Sequence, residues 1–538
     1  MYIIKLSAAF LCLSSLSCQE AALDHTLQAP NIIFIMADDM TTQAISIYEN
    51  GIYDDIAPTP NMDRLAREGM LFNNVMCTNS ICGPSRSSIL TGNYSHINGY
   101  YKNHKGGQFD TTNWTFPQEF QQHGYQTALF GKWHLGTEPV GFDDFKYHAL
   151  HGQQGSYWNP TYNHNGTAVT EEGYATNLST DFALEWLSNE RSQEDPFLML
   201  LQYKAPHRAW SPDSIYQDLW DDIEMPYPAN FYDEYEGREL TAGDTEMTMD
   251  FLNRSDMKLT PPEGLSPEEL LQWRFYGIAR GQVVQPEGMS DAEGVKWRYQ
   301  RYIKDYLACV KSVDDNIGRV LQYLDEQGLA DNTMVIVTSD QGFYLGEHNF
   351  FDKRFIYEES LRMPFIVRYP NKIRSRSINN DVIANVDFAN TLMEVAGINS
   401  SQENQGRSFA AMLHGETPEG WRQSMYYHYY EFPFWHHVQP HYGIRTEDYT
   451  LAHFYYDIDQ WELYDLKKDP MQMNNVIDED DYTGVVTQLK LELKDLQKEY
   501  QDDHSLAAYR TITDTDFGSI IKGAQVDNSL EQSTKEAK

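Results

Sequence analysis

At 538 residues the chain is too long for one ordinary hydrophobic core, which predicts one large domain with a smaller companion. A hydrophobic content of 41% together with 36 tyrosines excludes a disordered polypeptide. The formal net charge of −38 argues against nucleic acid and anionic membrane surfaces as partners, but not against a small anion met by a few cations in a cleft.

The chain opens with "MYIIKLSAAFLCLSSLSCQE", a charge at Lys5 followed by a short apolar run and small residues. This reads as a signal peptide over residues 1–22, too short to span a bilayer. Cleavage near Ala21–Ala22 is one reading; in the other, Cys18 is the lipidated cysteine of a bacterial lipoprotein, and the only membrane association is that anchor. Either predicts an exported protein, periplasmic or lipid-anchored at the outer membrane or cell surface. Removing the signal leaves Cys77, Cys82 and Cys309, which are too few for a disulfide framework.

Residues 23–419 repeat one pattern: a short apolar run stops at residues able to do chemistry. "NIIFIMADD" ends in Asp38 and Asp39. "TPNMDRLAREGMLF" follows as a helix with Asn61 as its cap and Leu65 and Met70 on its apolar face. In "ICGPSRSSILTGNY", Cys82 can be a small buried thiol, half of a loop with Cys77, or a reactive group, and Arg86 follows it. "YQTALFGKWHLG" ends in Lys132 and His134, and "PFLMLLQYKAPH" ends in His207. Residues 221–294, rich in Asp, Glu, Pro and Met, read as an insertion on the rim of the site. A long amphipathic helix is predicted from Val295 to Leu324, with apolar residues stepping by three and four. "TMVIVTSDQG" ends in Asp340 and Gln341, Lys353 follows, and "MPFIVRYP" is one more buried run. Residues 420–515 hold two antiparallel-strand patterns, "MYYHYYEFPFWHH" and "YGIRTEDYTLAHFYY", and a terminal helix, predicting an α+β subdomain. Its aromatic residues, with His436 and His437, suit either sugar stacking or core packing. Residues 516–538 form a polar tail.

Apolar strands without alternation belong to a sheet covered on both faces. Strands alternating with helices predict an α/β fold whose large, mostly parallel sheet is sandwiched by helices. Ligands of such sheets bind beyond the carboxyl ends of the strands, so the strand-end clusters are expected to converge. Asp38, Asp39, Asp340 and Gln341 offer only oxygen donors, which suits Ca²⁺ or Mg²⁺ and suits zinc poorly. Arg86, Lys132 and Lys353 could neutralise an anion beside that cation, and His134 and His207 could move protons.

These residues carry a family resemblance. "CGPSR" followed by "LTG" is similar to the C-x-P-S-R signature of the type I sulfatases, within the alkaline phosphatase superfamily. "ADD", "GKWHLG", "APH", "SDQGFYLGEHNFFDK" and "ELYDLKKDP" resemble the other blocks of that family in the same order, from Asn31 to Asn475. The resemblance implies the alkaline phosphatase/sulfatase-like fold, and hydrolysis of sulfate esters on a sulfated oligo- or polysaccharide. It implies that a formylglycine-generating or sulfatase-maturating enzyme oxidises Cys82 to formylglycine, reading Pro84 and Arg86 on the unfolded chain. It also implies that Asp38, Asp39, Asp340 and Gln341 hold Ca²⁺, with Mg²⁺ the alternative, together with residue 82. Arg86 and Lys132 would stabilise the modified residue and the transferring group. His134 would take a proton from it, His207 would protonate the leaving oxygen, and Lys353 would lie on the bridging side. The chain departs from the family where Gln341 stands in place of a common Asn and Asn93 in place of a common Arg. An algal polysaccharide such as ulvan, or a glycosaminoglycan, is the expected substrate class. The alternatives are a phosphonate or phosphodiester hydrolase of the same superfamily, or a non-catalytic polysaccharide-binding protein.

Overall fold

The computed structural model describes residues 29–514 apart from 50, 104–106, 253–255, 261–263, 265, 268–283 and 285. The expected signal peptide with Cys18 and the polar tail 516–538 lie outside the described residues, as does much of the later part of the rim insertion.

In chain order the strands are β1 (Asn31–Ala37), β2 (Met70–Phe72), β3 (Val75–Met76), β4 (Gln126–Gly131), β5 (Asp144–His148), β6 (Thr161–His164), β7 (Thr167–Thr170) and β8 (Phe197–Tyr203). They continue as β9 (Thr333–Ser339), β10 (Phe365–Arg368), β11 (Ser377–Asn379), β12 (Ile383–Ala384), β13 (Ser424–Tyr429), β14 (His441–Thr446), β15 (Tyr449–Phe454) and β16 (Gln460–Asp465). Ten of them form one sheet in the order β11-β2-β10-β9-β1-β8-β4-β5-β6-β7. Its centre, from β9 through β1, β8 and β4 to β5, is parallel. Every residue of β1, β8 and β9 is buried. Ile32, Phe34 and Met36 enter the core on one face, while Ile33, Ile35 and Ala37 enter the core on the other. Burying each such large apolar side chain is worth about 1.5–3 kcal/mol, so helices must cover both faces.

One apolar run pairs differently from its neighbours. β10 lies antiparallel to both β9 and β2. The connection from Ser339 to Phe365 holds only the short helical turns Glu347–Asn349 and Glu358–Leu361, without the crossover element that a parallel return needs.

The long helix runs from Asp291 to Glu326, longer than its apolar pattern indicates because a capping box starts it early. The Glu293 carboxylate accepts from the Ser290 N–H at 2.8 Å, and the Ser290 hydroxyl accepts from the Glu293 N–H at 3.4 Å. Tyr306 on this helix donates its hydroxyl to the Asp39 carbonyl at 2.7 Å and accepts from the Thr41 N–H at 3.2 Å. The helix therefore grips the turn that leaves β1. The expected cap at Asn61 is corrected. The helix spans Pro60–Glu68 with Thr59 before it, because proline suits the first helical position. Asp314, from the long helix, accepts from the N–H groups of Asn61 (3.1 Å) and Met62 (2.9 Å), supplying the acceptor that a cap would have provided.

Strands β13 to β16 form a second, antiparallel sheet, followed by the helix Thr483–Glu499. Tyr426, Ile444 and Leu451 of this sheet belong to the same hydrophobic cluster as Phe34 and Phe116 of the main layer. The smaller unit thus docks on the larger through a shared core. Among the described residues, no helix is long and apolar enough to cross a membrane.

Candidate active site

The register of the central strands assembles the site. Ala37 of β1 pairs with Ser339 of β9, so Asp38–Asp39 and Asp340–Gln341 emerge side by side, and the Asp39 N–H donates to Asp340 Oδ1 at 3.1 Å. β8 leads to His207 and β4 to Lys132 and His134. All four strands are neighbours pointing the same way, so residues hundreds of positions apart meet at one end of the sheet.

Cys82 is the first residue of the helix Cys82–Thr91, every residue of which is buried. The helix dipole favours negative charge at that end. Gly83 donates its N–H to Asn103 Oδ1 at 3.2 Å; a Cβ on Gly83 would lie 2.4 Å from the Tyr100 ring, so only glycine fits. The Cys82 thiol faces Asp39 Oδ1 at 3.8 Å and Lys353 Nζ at 3.4 Å. Cys77, Cys82 and Cys309 are all free, which removes the Cys77–Cys82 disulfide reading.

Ion pairs lock the cluster. Lys132 Nζ donates to Asp38 Oδ2. Arg86 Nε donates to Asp340 Oδ2 at 2.9 Å, and its Nη1 to Gln202 Oε1 at 2.8 Å and to the Lys132 carbonyl at 3.0 Å. Lys353 Nζ donates to Asp39 Oδ1 at 2.6 Å, as does Gln341 Nε2 at 2.5 Å. His207 donates Nδ1–H to the Arg208 carbonyl at 2.7 Å, which leaves its Nε2 lone pair 3.9 Å from Asp39 Oδ2. His134 Nε2 accepts from Gln154 Nε2 at 2.9 Å.

Burial and like charge compete with these cations. Burial opposes the charge of Asp38, yet Lys132, with Arg86, holds it well below the usual carboxylate range. Asp39 is pushed up to about 7 by burial and by its neighbours Asp38 and Asp340, against Lys353. Asp340 is pushed up to about 6 by burial and by Asp38. Burial and Asp38 raise the Cys82 thiol, and burial with Lys132 lowers both His134 and His207, leaving them neutral.

The oxygens fit a hard cation. Asp38 Oδ1, Asp39 Oδ2 and Gln341 Oε1 are buried without a hydrogen-bond partner, which is costly unless something else satisfies them. One carboxylate oxygen each from Asp38, Asp39 and Asp340 lies within 4.8 Å of the others, and Asp38, Cys82 and His207 make a second such group. An all-oxygen set of three carboxylates and an amide is the donor chemistry of Ca²⁺ or Mg²⁺.

Above the cluster lies a cavity of about 290 Å³. Cys82, His134, His207 and Lys353 line it, whereas Asp38, Asp39, Arg86, Lys132, Asp340 and Gln341 lie behind this lining. Several lining residues carry no individual expectation from the sequence. Arg208, Asp352 and Arg354 adjoin His207 and Lys353 in the chain, which was the available signal. Arg208 is bonded to Asp256 at 2.6 and 3.2 Å and to His436 Nε2 at 2.7 Å, and Arg354 to Glu431 at 3.1 Å. Gln154, on the loop after β5, had no signal. From the C-terminal sheet, Trp435 and His436 reach the cavity; His437 instead packs its ring against Phe432, centroids 4.8 Å apart.

Residues 30–398 match the family model described as "Sulfatase", and residues 346–499 match "N-sulphoglucosamine sulphohydrolase, C-terminal". Over 510 residues the chain is 43% identical to an N-acetylglucosamine-6-O-sulfatase of Bacteroides thetaiotaomicron, covering 91% of this chain and 90% of that protein. A solved structure described as a complex with its substrate D-glucosamine-2-N,6-O-disulfate is 42% identical, with a TM-score of 0.82 over 89% of this chain and 99% of that one. An ulvan-active sulfatase of Formosa agariphila is 24% identical, over 89% of this chain and 83% of that protein. A phosphonate monoester hydrolase of Agrobacterium radiobacter, 19% identical with a TM-score of 0.67, shares the fold. A model spanning most of the chain, and a relative matched almost end to end, converge on one conclusion: the chain belongs to the sulfatase family.

Proposed function

We propose that this sulfatase removes the 6-O-sulfate from a glucosamine residue of a glycosaminoglycan-derived saccharide, after export and after conversion of Cys82 to formylglycine by a maturation enzyme. The observation that carries the reading is the 43% identity to an N-acetylglucosamine-6-O-sulfatase across nine-tenths of both chains. The cavity of about 290 Å³ lies at the small end of the ~300–1,000 Å³ typical of ligand pockets, which suits one sugar ring. The reading places residues 23–419 in the catalytic unit and 420–515 in a subdomain that closes one wall.

In this reading Asp38, Asp39, Asp340 and Gln341 hold Ca²⁺, with Mg²⁺ as the alternative. A divalent cation beside the hydrated aldehyde would supply a nucleophilic hydroxyl near neutral pH. The chain's own residues do the rest. Arg86 and Lys132 fix the carboxylates through the bonds described above and bring positive charge to the transferring group. Lys353, 3.4 Å from the sulfur of residue 82, stands where charge develops on the bridging side. His207 has its Nδ1–H committed to the Arg208 carbonyl, so Nε2 is the atom that exchanges protons. It is neutral in the free protein, and an anionic ester in front of it favours the protonated form, which then serves the leaving oxygen. His134, also neutral, takes the proton released at residue 82 on Nε2, the ring atom that accepts from Gln154 in the free protein, once that amide turns away.

The test is sulfate release by mature, purified protein from defined glucosamine saccharides sulfated at the 6-O, 3-O or 2-N position, beside sulfated ulvan oligosaccharides. Release from the 6-O position alone is the expected result. Release from ulvan only, or from another position of glucosamine, would overturn the substrate assignment.

A further inference from the structure

The connection between β13 and β14 places an exposed indole at the mouth of the cavity. Trp435 is 49% exposed and lines the same cavity as Cys82 and His207. Its position is not a loose one. Trp435, His436 and His437 take consecutive left-handed conformations, with φ of 56°, 80° and 53°. Such backbone is costly for residues other than glycine and persists where surrounding contacts fix it, often at ligand clamps. The contacts here converge on His436. Its carbonyl accepts from the Glu246 N–H at 2.8 Å and the Thr245 hydroxyl at 2.7 Å, and its ring is bonded to Arg208 at 2.7 Å. The buried His436 therefore fixes the backbone next to the indole.

An aromatic side chain on fixed backbone, with half of its surface in water, is suited to bind an apolar face, because little backbone freedom remains to be lost. The cavity below has room for about one sugar ring, and Arg208, Asp352, Arg354 and His436 are among the polar groups that line it. We propose that the exposed face of Trp435 is a stacking platform for the saccharide ring glycosidically joined to the one that carries the scissile sulfate. This rests on the glucosamine reading above and extends the substrate from a monosaccharide to an oligosaccharide end.

The experiment compares wild type, Trp435→Ala and Trp435→Phe on 6-O-sulfated N-acetylglucosamine, on a tetrasaccharide ending in that residue, and on a small aryl sulfate. Aromatic contacts of this kind correspond to about a 3- to 10-fold change in affinity. Because Trp435 also lines the cavity, the readout is a ratio: Trp435→Ala should raise KM for the tetrasaccharide by about that factor more than KM for the monosaccharide, leaving kcat on the tetrasaccharide within about twofold. Trp435→Phe should recover most of the loss, and the melting temperature of both variants should match wild type. A tetrasaccharide KM unmoved in Trp435→Ala, or KM values for mono- and tetrasaccharide rising together, would overturn the platform while the substrate reading stands. Wild type that cleaves the aryl sulfate but neither saccharide would overturn both.

Discussion

Asp38, Asp39, Asp340 and Gln341 stand at the ends of hydrogen-bonded parallel strands, whereas Trp435 and His436 stand on a connection in the other sheet. The first group is entirely buried, cross-linked by Arg86, Lys132 and Lys353, and could move only if the sheet changed register. The second depends on a few hydrogen bonds around one histidine. The difference separates what the fold must keep from what it can vary. Reacting groups sit where the whole core fixes them, and the wall facing the rest of the substrate sits where a loop can change without unfolding anything.

The largest expected effect breaks the floor at its centre. Cys82→Ala should abolish turnover on every sulfate ester with the fold intact, since one small buried residue replaces another; peptide mass spectrometry of active protein should show formylglycine at residue 82. Unmodified cysteine in fully active enzyme would end that assignment. Next, Asp340→Ala should cost activity and stability together, because it removes the nearest carboxylate from the buried Arg86, at 2.9 Å from its Nε, a loss of up to about 3–5 kcal/mol. Chelation should remove activity but shift the melting temperature less, and added Ca²⁺ should restore turnover to wild type but not to the variant. A chelated enzyme at full activity would contradict the metal site.

A smaller, selective effect is expected at His207. His207→Ala should reduce turnover of sugar sulfates by roughly 10²–10⁴-fold, the usual weight of a general acid, and an activated aryl sulfate far less, because its leaving group departs without a proton. Equal losses on both substrates would show a structural role instead. The smallest effect lies far from the chemistry. Burial opposes the charge of Asp502, but His428, His96 and Tyr426 hold its carboxyl well below the usual range, with His428 Nδ1 at 2.7 Å. A depressed folded value means the carboxylate contributes stability above roughly pH 4 and loses it as pH falls further. The melting-temperature advantage of wild type over Asp502→Asn should therefore shrink between neutral pH and about pH 3; a constant difference would refute the linkage.

The same contrast explains what was legible in the sequence. The apolar runs ending at Asp38, Lys132, His207 and Asp340 identify themselves, because a strand buried on both faces must be continuous and its end must be polar. Strand direction was not legible at β10, since the loop after Gln341 is spent on the site and leaves no crossover helix. Thr59 and Pro60 displaced Asn61 from the helix start because the acceptor it would have supplied comes from Asp314, across the interior. Arg208 and Arg354 adjoin motif residues, but their partners Asp256, His436 and Glu431 are chosen by packing between distant segments. Gln154 and Trp435 belong to loops whose course no local pattern fixes.

The charges behind the cavity carry one more consequence. Arg86, Lys132 and Lys353 stand against Asp38, Asp39 and Asp340, three positive groups against three acidic ones, so these six groups by themselves bring almost no net attraction for a sulfate ester. Attraction would come from a divalent ion added to that balanced set. Linkage then runs both ways: the ion tightens the hold on the ester, and the ester tightens the hold on the ion by the same factor. Scarce metal would show first as weak substrate binding, and saturating substrate would protect the enzyme from a chelator.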